Sequence, residues 1–141
     1  MNSVFVDTSA LIALGNKRDQ FHAKAKKVFK ELVITKSHFL TTNAVILELT
    51  NAFSDVKYKP IAIRLLNLIE KSNNWTVITI DEEMMKKGIN RFKQMKDKDW
   101  SVVDCISMII AEDSDIIEIF TNDHHFVQAG FIILLQSQRI N

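Results

Sequence analysis

Ser3-Val4-Phe5-Val6-Asp7-Thr8-Ser9 is the stretch that decides how this chain folds. A short apolar, partly β-branched run stops at an aspartate and passes into the helix-like Ala10 to Leu14, so it reads as a buried strand handing over to a helix. Asp7 then lies at a strand's carboxyl end. In open parallel α/β sheets the ligand crevice lies just outside those ends, which places an acid there for chemistry. Its other use is as an N-cap, with the carboxylate accepting from unpaired amides.

Outward from this stretch the same order repeats. Gln20 to Val33 carries Phe21, Ala25, Val28, Phe29 and Leu32 at helical spacing, with Lys24, Lys26, Lys27 and Lys30 between them, which predicts an amphipathic helix with a basic face. His38 to Thr42 reads as a second strand, and Asn43 as the N-cap of a helix from Ala44 to Phe53. Pro60 opens a helix to about Lys71 that is apolar on more than one side, at Ile61, Ile63, Leu65, Leu66, Leu68 and Ile69. Trp75 to Ile80 is a third strand, and the acidic trio Asp81, Glu82, Glu83 starts a helix to about Met95. Val102 to Glu112 is a mostly apolar helix, Ile116 to Phe120 a strand, and Phe131 to Leu135 a last strand after a short helical turn. Alternating strands and helices call for a mostly parallel sheet covered on both faces.

The composition bounds the class. With 141 residues, 47% hydrophobic and 25% charged, one domain spanning 1–141 is expected, large enough to bury its own core. Cys105 has no partner in the chain, so no disulfide framework exists, and a reduced, cytoplasmic setting is expected. The apolar run Phe131 to Leu135 is far short of a membrane span, and the N-terminus lacks signal-peptide character. Net charge is only +1, yet residues 1–98 hold 17 Lys and Arg against 10 Asp and Glu, and residues 99–141 hold 1 against 7. Such segregation suits a polyanion-gripping surface beside an acidic metal pocket.

Four acids stand out. Asp7 and Asp123 each follow an apolar strand, so a parallel sheet brings them to one edge. Asp104 matches a capping box with Ser101, but it also enters the protein with the apolar Cys105, Ile106, Met108, Ile109 and Ile110. Glu48 lies in mid-helix, where no capping argument reaches it. Hard oxygen ligands without histidine or thiolate spacing point to Mg²⁺, or Mn²⁺, rather than zinc. His124 and His125 read as solvated helix-start residues, and Cys105 as inert core. No Gly-rich phosphate loop or nucleophile elbow is present.

The stretches V-F-V-D-T-S-A-L-I-A at 4–13, the helix with Glu48, D-K-D-W-S-V-V-D-C-I-S at 97–107 and F-T-N-D-H-H-F-V-Q-A-G-F at 120–131 resemble the PIN-domain ribonucleases. More narrowly, they resemble the VapC-type toxins of toxin–antitoxin pairs. The resemblance implies a three-layer α/β/α fold with a five-stranded parallel sheet, and it carries an acidic metal-binding and catalytic tetrad onto Asp7, Glu48, Asp104 and Asp123. It also implies metal-dependent endoribonuclease activity leaving 5′-phosphate and 3′-hydroxyl ends, and a cognate antitoxin. Asn122 stands where many relatives have an apolar residue. The apolar helix over 61–69 is the candidate contact for a homodimer or for the antitoxin, with burial in the monomer core as the equal alternative. Other readings of the same chain are a catalytically silent RNA- or metal-binding PIN module, a DNA-directed nuclease, and a receiver-like signalling domain. The last lacks its adjacent acidic pair after the first strand.

Overall fold

The computed structural model of the protein describes residues 2–136. The domain expected over 1–141 therefore includes terminal residues outside the described range. In chain order the elements are β1 (Ser3–Val6), α1 (Thr8–Gly15), α2 (His22–Ile34), β2 (His38–Thr42), α3 (Asn43–Ala52), α4 (Lys59–Lys71), β3 (Trp75–Ile78), α5 (Glu82–Gln94), α6 (Val102–Asp113), β4 (Glu118–Phe120), α7 (His125–Gln128) and β5 (Ile132–Ile133). All strand pairs are parallel, in the order β3-β2-β1-β4-β5.

β1 is central, as its uninterrupted apolar sequence requires. Val4, Phe5 and Val6 are completely buried, and Phe5 is paired with Leu40 on one side and Ile119 on the other. A strand covered on both faces has no use for the polar alternation of a half-exposed one. α1 packs against α2, α3 and α4, whereas α5 packs on α6 and α6 on α7, so the helices form two groups. The result is the expected three-layer α/β/α architecture. Phe5, Phe39, Phe120 and Phe126 are among the largest fully buried side chains, each worth roughly 1.5–3 kcal/mol of burial.

Edges depart from the sequence reading for local reasons. Thr42, not Asn43, caps α3 by accepting from the Val45 amide at 3.1 Å. Asn43 instead accepts the Ile80 amide at 2.9 Å, and the β3 ladder ends at Ile78 rather than Ile80. β4 and β5 are shorter than expected, although backbone bonds from Leu134 to Ile119 and from Leu135 to Thr121 carry the pairing onward. α4 is split: Ala62, Leu65 and Ile69 are buried, while Ile63 and Leu68 face outward. Asp81 caps α5 through the Met84 amide at 2.8 Å, as the acidic trio predicts. No described helix is long and apolar enough to cross a membrane.

Candidate metal centre

The strand order reverses direction between β1 and β4, which makes their carboxyl ends the topological switch point where parallel α/β sheets hold ligands. Asp7 stands there, its amide bonded to the Phe120 carbonyl at 3.1 Å. It occupies the N-cap position of α1, yet its side chain caps nothing. Thr121 Oγ1 donates to Asp7 Oδ2 at 2.7 Å, Ser9 Oγ lies 3.3 Å from the same oxygen, and the two hydroxyls are 2.8 Å apart. Thr121 Oγ1 also accepts the Asp123 amide at 3.0 Å, and Ser9 Oγ the Asn122 amide at 3.1 Å. This lattice ties the β1 end to the β4 end. With the residue only 5% exposed, burial pushes Asp7 up to about 6 against the Thr121 hydrogen bond, and the nearby Asp104 and Glu48 charges push the same way.

Glu48 reaches the same place from α3. It is half-buried between the buried Val45 and Leu49, and Thr8 Oγ1 donates to its Oε1 at 2.6 Å. Its pKa is raised, first by burial and then by the charges of Asp104 and Asp123, with the Thr8 bond opposing. Charges from separate segments thus act on these two carboxyl groups, those of Asp104 and Glu48 on Asp7 and those of Asp104 and Asp123 on Glu48.

Asp104 serves two purposes. The capping box is real: the Ser101 amide donates to Asp104 Oδ2, and the Asp104 amide to Ser101 Oγ, each at 3.0 Å. The same carboxylate, with only 15% of its side chain exposed, faces His125 at 3.4 Å. Asp123 Oδ1 accepts the His125 amide at 2.9 Å and lies 3.1 Å from His125 Nδ1.

The expectation of two solvated histidines is half right. His124 has a side chain 74% exposed, whereas that of His125 is 20% exposed and set between two acids. The reason is tertiary: Phe126 is fully buried, and α7 packs against α6, which carries His125 into the Asp104 cap. Thr121 escaped the sequence reading as well, since its partner Asp7 is 114 residues away and no local pattern marks the pair.

Several donors here fit a divalent cation. Repelling, partly desolvated carboxylates are stabilised by a bound positive charge, and His125 Nδ1 is buried without a hydrogen bond. The described donors lying mutually within 4.8 Å are one atom each from Asp123, His124 and His125. Asp7, Glu48 and Asp104 are outside that trio, with Asp104 3.4 Å from His125. The surface grooves on α2 and beside Ser3 and Glu118 contain none of the four acids. Cys105 is buried, as expected of inert core.

Comparison with solved structures finds chains of the same fold. The Mycobacterium tuberculosis toxin VapC20, described as cleaving the sarcin–ricin loop, superposes with a TM-score of 0.80 at 24% identity, covering 92% of this chain and 96% of that one. VapBC2 from Rickettsia felis, solved bound to a DNA fragment from its promoter, gives 0.67 at 15% identity, covering 93% and 96%. FitAcB from Neisseria gonorrhoeae gives 0.62 at 13%, covering 92% and 95%. No curated protein matches the chain in sequence. The PIN domain family model, however, matches residues 4–132, a span that runs from within β1 to the start of β5 and contains all four acids. The chain belongs to the PIN domain family.

Proposed function

We propose that this protein is a metal-dependent endoribonuclease and the toxin component of a toxin–antitoxin pair. The observation that carries the reading is geometric: Asp7 is buried at the β1–β4 switch point, Glu48 is tied by Thr8 beside it, and Asp104 and Asp123 both face His125. Asp7 and Asp104 are assigned as principal ligands of Mg²⁺, with Mn²⁺ as a substitute; Asp123 completes the site or holds a second ion. A bound divalent ion supplies a Lewis acid for a scissile phosphate and lowers the pKa of water. Glu48, steadied by Thr8, orients the attacking water. Thr121 and Ser9 both hydrogen-bond Asp7 Oδ2, which preorganises its carboxylate.

RNA binding is assigned to α2. Lys26, Lys27 and Lys30 are exposed there and form no ion pair among the described residues. On α5, by contrast, Lys86 and Lys87 lie 3.6 and 3.8 Å from Glu82 and Glu83, and Arg91 is held by Glu112. The α2 cations therefore offer more charge for releasing phosphate counterions, and binding weakens steeply with added salt. Exposed Ile63 and Leu68 on α4 and Leu47 on α3 are the proposed apolar contacts for an antitoxin or a second copy of the chain.

The test is cleavage of end-labelled RNAs, a sarcin–ricin-loop oligonucleotide first and a DNA control beside it, in Mg²⁺, Mn²⁺ or chelator, with Asp104→Ala. Metal-dependent RNA cleavage that Asp104→Ala abolishes is expected. No cleavage across varied RNAs overturns the catalytic reading in favour of a silent binding module, and cleavage of the DNA control alone overturns the choice of RNA.

A further inference from the structure

His125 Nδ1 is the one polar atom at this centre that is buried and makes no hydrogen bond. Two carboxylate oxygens flank it, Asp123 Oδ1 at 3.1 Å and Asp104 Oδ2 at 3.4 Å, but neither has hydrogen-bond alignment with the ring nitrogen. Buried polar groups are seldom left unpaired, and an ion is one of the few reasons for an exception. Adjacent donors on a six-coordinate ion with bonds of about 2.1–2.2 Å stand about 3 Å apart. The separations around Nδ1 are close to that.

The surroundings hold the ring as a ligand must be held. Asp104 is fixed by its capping box, Asp123 by the His125 amide, and α7 by the buried Phe126 and by Trp100 Nε1 donating to Gln128 Oε1 at 3.0 Å. His124 is the weaker candidate, exposed and with its Nδ1 4.0 Å from Asp123 Oδ1. Mg²⁺ dehydrates reluctantly and prefers oxygen, whereas first-row transition ions accept imidazole readily.

We infer that His125 Nδ1 is a nitrogen donor to a divalent ion held beside Asp104 and Asp123, and that it tilts the centre's preference from Mg²⁺ toward Mn²⁺. This rests on the metal-dependent reading proposed above. An oxygen-only set of four carboxylates has no such preference built in. His125 adds it at the cost of one unpaired nitrogen in the metal-free protein.

The test is Mn²⁺ titration of the purified protein by electron paramagnetic resonance, with pulsed measurement of ¹⁴N coupling to the bound ion and Mg²⁺ affinity by competition. His125→Gln, His124→Ala and Asp104→Asn are compared, each checked for folding by thermal melting. Expected are ¹⁴N coupling in the parent protein and in His124→Ala, and its loss in His125→Gln. Mn²⁺ affinity in His125→Gln falls by about tenfold, and Mg²⁺ affinity falls less. Mn²⁺ bound in an Asp104-dependent manner without ¹⁴N coupling, or coupling that survives His125→Gln, overturns the inference and leaves the metal centre standing. Failure to bind Mn²⁺ at all overturns both.

Discussion

The β1–α1 and β3–α5 junctions look alike in sequence, Val-Phe-Val-Asp-Thr-Ser in one and Val-Ile-Thr-Ile-Asp-Glu-Glu in the other. Each strand ends near an aspartate that begins a helix. Asp81 is exposed and accepts the Met84 amide at 2.8 Å, which is ordinary capping. Asp7 is buried, caps nothing, and takes its hydrogen bond from Thr121, just past the end of the neighbouring strand β4. The two differ in their position in the sheet. β3 is an edge strand, so its end meets water, while β1 is central and its end meets β4 at the switch point. An acid at the first place caps a helix; an acid at the second is buried where its charge is disfavoured.

The sharpest way to break that comparison is to neutralise each acid in turn. Asp7→Asn keeps the shape and removes the charge, and metal-dependent RNA cleavage is expected to fall by about 10²–10³-fold or more. Unchanged cleavage in the labelled-RNA assay contradicts the role given to Asp7. Next in size is the pH dependence of stability in chelator. The folded state holds the Asp7 proton up to about 6 while an unfolded Asp releases it near 4, so the stabilisation is present below about 4 and lost as pH rises through about 6. Glu48 is shifted in the same direction. The Asp7 contribution is on the order of 2–4 kcal/mol, and denaturant titrations at pH 4 to 8 should show it in the parent protein but not in Asp7→Asn.

Thr121→Val sharpens the comparison by removing only the hydroxyl that makes Asp7 tolerable. A loss of about 1–3 kcal/mol at pH 7 is expected, and the pH-dependent decline moves to higher pH because the Thr121 bond opposes the upward shift. Smallest is Asp81→Ala, which removes a cap worth about 1 kcal/mol and leaves both cleavage and pH dependence as they were. A matching loss of cleavage in Asp81→Ala erases the distinction.

The sequence made the scaffold legible because hydrophobic periodicity is local. The apolar run at β1, the helical spacing of Phe21, Ala25 and Val28, and the alternation of elements led directly to a parallel sheet with Asp7 and Asp123 at one edge. Partner choice is tertiary and was not legible. Nothing near Asp7 tells that its oxygen meets Thr121, and nothing near Asp104 tells that one carboxylate both closes a capping box and faces His125. The burial of His125 is equally absent from its local sequence, because it depends on where Phe126 anchors α7. The edges failed for a related reason: Asn43 left its expected cap for the Ile80 amide, an exchange that only the folded β2–β3 neighbourhood permits.

The claim underneath is that the cost of burying Asp7 is offset by a divalent ion. Melting temperature at pH 7, taken for the parent protein and Asp7→Asn in chelator and in Mn²⁺ at about a hundred times its dissociation constant, tests this directly. Binding at that concentration contributes about 2.7 kcal/mol, comparable to the cost of the buried charge. Asp7→Asn should melt higher than the parent protein in chelator, and Mn²⁺ should close most of that gap by raising the parent alone. A gap that is the same in both conditions contradicts the account.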